Sequence, residues 1–74
     1  PVKFYPNPAK EKVFINTTLT NYNITIYNIL GKQIFRTIGN SGNTTINLSS
    51  LPHGIFLLKL NNGEKIKTFK IIKN

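Results

Sequence analysis

The sequence predicts one small all-β domain built from short antiparallel strands, a sandwich or a barrel. Turn-forming residues punctuate the chain at intervals of roughly 8–12 residues, the spacing of short strands in such folds. Between them lie segments rich in β-branched and aromatic residues that alternate apolar with polar, so that one face can be buried and the other wetted. No segment holds a 3.6-residue apolar period long enough for a helix. At 74 residues the chain has room for one domain.

The punctuation falls at Pro6-Asn7-Pro8, Asn21, Gly31-Lys32, Gly39-Asn40-Ser41-Gly42-Asn43, Pro52-His53-Gly54 and Asn61-Asn62-Gly63. In Lys12–Thr17, Val13 and Ile15 share one face. In Asn23–Asn28, Ile24 and Ile26 oppose Thr25 and Tyr27. In Gln33–Ile38, Ile34 and Ile38 flank Arg36 on one face, opposite Phe35 and Thr37. In Thr44–Leu48 the apolar face is Ile46 and Leu48. Ser49-Ser50-Leu51-Pro52 reads as one helical or bent turn. Ile55–Leu60 is apolar on both faces over Ile55-Phe56-Leu57-Leu58, which predicts a central strand in the thickest part of the core; a buried helical turn is the alternative, but the flanking Gly54 and Asn61-Asn62-Gly63 leave the segment too short for a helix. Asn62-Gly63 is a two-residue hairpin signal, because both residues tolerate positive φ. It predicts that Ile55–Leu60 pairs directly with Lys65–Ile72.

A domain of this size buries only about 60% of the surface its unfolded chain exposes. Most of its large apolar side chains are therefore needed for the core, and few remain for a deep substrate pocket. Cysteine is absent, so neither disulfide nor thiolate site exists. No stretch approaches the roughly 20 apolar residues of a membrane span. The chain starts at Pro1 without Met or signal peptide, as expected of a piece of a larger protein. Ten Lys and Arg against two acidic residues give a formal charge of +8. That suits an anionic partner, and it equally suits solubility and protection of sheet edges.

The inventory for catalysis is nearly empty. Glu11 and Glu64 are the only acidic side chains, and both fall in predicted turns. His53 is the only histidine, with no Cys or Asp beside it, so neither a nucleophilic triad nor a zinc site assembles. Gly39-Asn40-Ser41-Gly42 lacks the Lys-Ser/Thr and the helix of a phosphate loop. No cofactor is expected. Basic residues interleave with Tyr5, Tyr22, Tyr27, Phe35, Phe56 and Phe69, a pattern that would suit stacking on single-stranded nucleic acid. Aromatics at strand spacing are more often packing residues.

Four blocks in order carry a family likeness: Tyr5-Pro6-Asn7-Pro8-Ala9, then Ile24-Thr25-Ile26-Tyr27-Asn28-Ile29-Leu30-Gly31-Lys32, then Ile46 through Leu60 with Leu51-Pro52-His53-Gly54-Ile55-Phe56 at its centre, and last Lys67-Thr68-Phe69-Lys70-Ile71-Ile72-Lys73-Asn74. Together they resemble the type A C-terminal sorting domain of the type IX (Por) secretion system, over essentially the whole chain. Two departures are Lys32, where the family often has Gln or Arg, and Phe56, where it often has Tyr.

The resemblance implies an Ig-like antiparallel β-sandwich of about seven short strands, spanning 1–74 at the end of a larger cargo protein. It implies a non-catalytic address that takes an N-terminal cargo across the outer membrane. The cargo would pass through the periplasm of a Gram-negative bacterium and end secreted or on the cell surface. The implied partners are the outer-membrane translocon and a sortase-like peptidase, not nucleic acid. Candidate recognition residues are Gly31, Gly54, Lys59 and the tip Lys70, Ile71, Ile72, Lys73 and Asn74. Alternation splits the basic last strand: Lys65, Lys67, Phe69, Ile71 and Lys73 share one face, and Ile66, Thr68, Lys70 and Ile72 the other. Deleting Lys70–Asn74 is expected to block export and leave a soluble domain. The second function class is a carbohydrate- or protein-binding module on a secreted enzyme, which an exposed aromatic row would favour and the absence of Trp weakens. The third, nucleic-acid binding, rests on charge alone.

Overall fold

The structure is a computed structural model that describes residues 2–6 and 8–74. It contains seven strands among the described residues: β1 Val2–Tyr5, β2 Lys12–Thr17, β3 Tyr22–Asn28, β4 Gln33–Asn40, β5 Thr44–Asn47, β6 Gly54–Asn61 and β7 Ile66–Lys73. They form a three-stranded sheet ordered β1-β2-β5 and a four-stranded sheet ordered β4-β3-β6-β7. All pairings between strands are antiparallel.

The two sheets close on one core. Val13 and Ile15 of β2, with Ile46 and Leu48, face Ile24 and Ile26 of β3, Phe56, Leu58 and Leu60 of β6, and Ile71 of β7. These are the inward positions that the alternation of β2, β3 and β5 predicts. Phe4 stacks on Phe69 with ring centroids 5.0 Å apart and so joins β1 to β7. The buried Tyr22 hydroxyl donates to the Gly42 carbonyl and also meets Thr44 Oγ1, tying the start of β3 to the β4–β5 loop. No buried side-chain polar atom lacks a partner among the described residues.

Four details depart from the sequence reading. β1 was not anticipated. It pairs with β2 through Val2↔Thr17 and Phe4↔Ile15. In β4 the alternation breaks. Its register against β3 runs Tyr22↔Asn40, Ile24↔Thr37, Ile26↔Phe35 and Tyr27↔Gln33, with two irregularities. Each adds a residue to β4, and an extra residue flips the side chains beyond it to the other face. Ile34 consequently packs against the core, whereas Ile38 is exposed. In β6 only Phe56, Leu58 and Leu60 are buried; Ile55 and Leu57 stand exposed on the outer face. β6 is an inner strand of its sheet, but none of the described residues covers Ile55 and Leu57 on that face. Finally, β6 and β7 pair directly, as expected, yet through a four-residue connection, Asn62 to Lys65. The Asn62 side-chain oxygen accepts the N–H groups of Glu64 and Lys65, and its own N–H donates to the Lys65 carbonyl. Of the Pro6-Asn7-Pro8 turn, Asn7 lies outside the described residues.

Candidate recognition surface

The strand order decides where the candidate residues lie. Gly54 pairs with Lys73, and Asn28 with Phe56. The end of β3, the start of β6 and the end of β7 therefore meet at one end of the four-stranded sheet. Gly31, Gly54 and the C-terminal tip, far apart in sequence, all lie at this end of the sheet.

The β3–β4 turn at this end is held by Asn28. Its side-chain oxygen accepts the N–H groups of Leu30 and Lys32, both at 2.9 Å. The Asn28 backbone closes the turn by accepting from Gly31 and donating to Lys32. Gly31 takes φ +84° in that turn, where an L side chain would be strained. Ile29 and Leu30 are lifted into solvent, 74% and 89% exposed. Gly54 also needs its lack of side chain for conformation, at φ +147°. A Cβ there would meet no atom closer than 4.0 Å, so crowding is not the reason.

The tip is docked. Ile71 is fully buried against the core, opposite Phe56. The chain after β1 lies against the outer edge of β7: the Ala9 N–H donates to the Ile72 carbonyl, and the Asn74 N–H donates to the Ala9 carbonyl. The Lys73 ammonium donates to the Leu51 carbonyl at 3.1 Å. Lys70 and Asn74 remain exposed and Ile72 half-buried. On the outer face Ile72 stands opposite Ile55, and Lys70 opposite Leu57, as the alternation of β7 predicts.

This end thus offers Ile29, Leu30, Ile55 and Leu57 to solvent beside Ile72, with Lys32 and Lys70 next to them. Grouped exposed apolar side chains with a polar margin are the usual mark of a protein contact. Neither composition nor alternation could single them out, because an exposed apolar row and a buried one read alike. Lys59 does not belong to this group. It sits mid-strand on the outer face, opposite Thr25 and Thr68.

Among the described residues the candidate catalytic side chains are not brought together. Ala9, two residues before Glu11, pairs with one end of β7, and Glu64 precedes the other end. The eight residues of β7 put these ends on the order of 20 Å apart. Paired glycosidase carboxylates stand within about 10 Å of each other. His53 is exposed in the β5–β6 connection. No group of His, Cys, Asp or Glu suited to a metal ion occurs among the described residues. Of the aromatics, Tyr22 and Phe56 are core residues and Phe69 is taken up by Phe4.

Residues 3–74 match the family described as the secretion system C-terminal sorting domain. The chain belongs to this family. No curated protein matches it closely enough to count as a relative. The sorting domain is the C-terminal signal for type IX secretion of cargo proteins, as the ordered blocks of its sequence imply. Membership brings a secretion system and an N-terminal cargo as partners, and secretion or surface display as the destination. The family is a sorting family, not a catalytic one. No helix of the structure is long and apolar enough to cross a membrane.

Proposed function

We propose that the outer-membrane translocon reads this sorting domain at the end of the four-stranded sheet where Gly31, Gly54 and the last strand meet. The observation that carries the reading is the exposure of Ile29, Leu30, Ile55 and Leu57 around a docked tip. The surface exists only when the sheet is assembled, so the signal is a folded shape and not a linear peptide. The two glycines set the turns. Ile71 and Lys73 anchor the strand, and Lys70, Ile72 and Asn74 border the contact. Residues 1–74 form the tail of a larger cargo that crosses the periplasm before export. A sortase-like peptidase cuts upstream of the domain, which has no catalytic activity of its own.

The test is a signal-peptide-bearing reporter fused to residues 1–74 in a host with the type IX machine. Ile29→Ser/Leu30→Ser alters the proposed contact and no core residue. Ile66→Ser changes an equally apolar residue, 59% exposed, at the opposite end of β7. Export should fall at least tenfold for the double variant and stay within twofold of wild type for Ile66→Ser. Equal export of both variants would place the contact elsewhere.

A further inference from the structure

The middle of the outer face of the four-stranded sheet is polar and concave, distinct from the apolar end. Its concavity of about 200 Å³ is lined by Asn23, Thr25, Tyr27, Gln33, Arg36, Lys59 and Asn61. The register explains the grouping. Thr25 pairs with Arg36 on one side and Lys59 on the other, so two cations flank one hydroxyl in a single cross-strand row. Asn23 pairs with Asn61 in the row before, and Tyr27 with Gln33 in the row after. With strands about 4.8 Å apart and same-face residues about 6.8 Å apart along a strand, the seven side chains cover a footprint of roughly 10 by 14 Å.

None of the seven is acidic, so the two cations are not neutralised within the lining. The amides are partly committed. Asn61 Oδ1 accepts the Gly63 N–H at 2.8 Å, and Asn23 Oδ1 accepts the Gly39 N–H at 3.4 Å. With both oxygens so engaged, the NH₂ groups of the two side chains are the donors left for a ligand. Thr25, Tyr27 and Gln33 add groups that donate and accept.

From this arrangement we infer a binding site for an acidic saccharide, in which Arg36 and Lys59 hold a carboxylate and the amides and hydroxyls meet sugar hydroxyls. Arg36 brings a planar fork suited to two parallel bonds with one carboxylate, and Lys59 a second positive charge beside it. The concavity is smaller than the 300–1,000 Å³ of pockets that engulf a ligand, which suits a short segment of a chain lying across the sheet. A peptide is the poorer fit. Peptides join β-proteins chiefly at sheet edges, through backbone hydrogen bonds, whereas this site lies on the face of the sheet, with Thr25 and Lys59 on inner strands paired on each side and only Gln33 and Arg36 on the edge strand β4. What the face presents is a dense set of side-chain donors and acceptors around one aromatic ring, the complement of a ligand made of hydroxyl groups. The inference does not rest on the translocon reading, and the site borders that surface where Tyr27 stands opposite Leu57.

The test is calorimetry with the 74-residue chain at fixed ionic strength, against oligogalacturonate, its fully methyl-esterified form and poly-glutamate. Oligogalacturonate should bind, and the neutral ester and the acidic peptide at least tenfold more weakly. Arg36→Gln/Lys59→Gln should weaken oligogalacturonate at least tenfold. Lys3→Gln/Lys10→Gln, which removes the same charge from exposed positions elsewhere, should stay within twofold. Tyr27→Ala, with all charge kept, should weaken it at least threefold. Thermal melts confirm that each variant is folded. Absence of binding, equal loss in the two charge-matched variants, or equal binding of poly-glutamate would overturn the inference.

Discussion

Replacing Ile71 by Ala tests whether the C-terminal tip is part of the fold. Ile71 is fully buried, on the inward face of β7 and opposite Phe56. Truncating a buried Ile to Ala costs about 2–5 kcal/mol, from lost burial and the cavity left behind. A domain of 74 residues has a total stability of roughly 4–11 kcal/mol at 0.05–0.15 kcal/mol per residue. The substitution therefore consumes a large share of it. Taking about 3 kcal/mol, and 4–8 °C per kcal/mol for a domain of this size, Tm falls by roughly 12–24 °C. The matched control is Ile66→Ala in the same strand. Ile66 is exposed, so its change stays within about 0.5 kcal/mol. Urea titrations and thermal melts by circular dichroism read both. Equal stability of Ile71→Ala and wild type, or an equal loss in Ile66→Ala, would refute the reasoning. The same arithmetic revises the truncation expected from sequence. Deleting Lys70–Asn74 removes Ile71, both Ala9 hydrogen bonds and the Lys73–Leu51 contact. The truncated chain is expected to unfold, which a circular-dichroism melt checks, and its effect on export then does not identify the residues that are read.

Tyr22→Phe keeps the ring but leaves the Gly42 carbonyl only the long bond from Thr44 Oγ1, at 3.5 Å; urea titration should show a loss of about 1–3 kcal/mol. Asn28→Ala removes the acceptor of the Leu30 and Lys32 N–H groups. A melt should show about 1–2 kcal/mol lost, and amide exchange should quicken in the β3–β4 turn. Gly31→Ala meets no atom within 4 Å, so only its φ of +84° is penalised. The same titration should report roughly 1–2 kcal/mol, and a neutral result would show that the turn adapts.

The sequence carries the strands because their inward positions repeat every second residue between strong turn signals. Val13 and Ile15, Ile24 and Ile26, and Ile46 and Leu48 are all buried. β1 escaped because it is four residues long and no turn signal precedes it. The β4 bulges belong to its pairing with β3 and leave no mark in a hydrophobic pattern. Gly39 at φ +69° within that strand was the one local hint. The two-faced apolarity of Ile55–Leu58 does not distinguish burial from exposure, because exposure is a property of what covers a face; the structure leaves Ile55 and Leu57 of this inner strand exposed, a functional clue that the pattern alone does not carry. The recognition surface itself was legible only as separate pieces. Gly31, Gly54 and the tip become one surface through the order β4-β3-β6-β7, which alternation within strands does not encode. Lys59 stood among the same candidates, and the register moves it to the polar concavity with Arg36.

The most direct test of the central claim is the location of a signal-peptide-bearing reporter fused to residues 1–74, in a host whose own type IX cargo is exported. Fractionation into periplasm, cell surface and medium measures it. The reporter should appear at the surface or in the medium, and the same reporter without the domain should stay in the periplasm. Retention of the fusion in the periplasm, while the host's own cargo leaves the cell, would contradict the account.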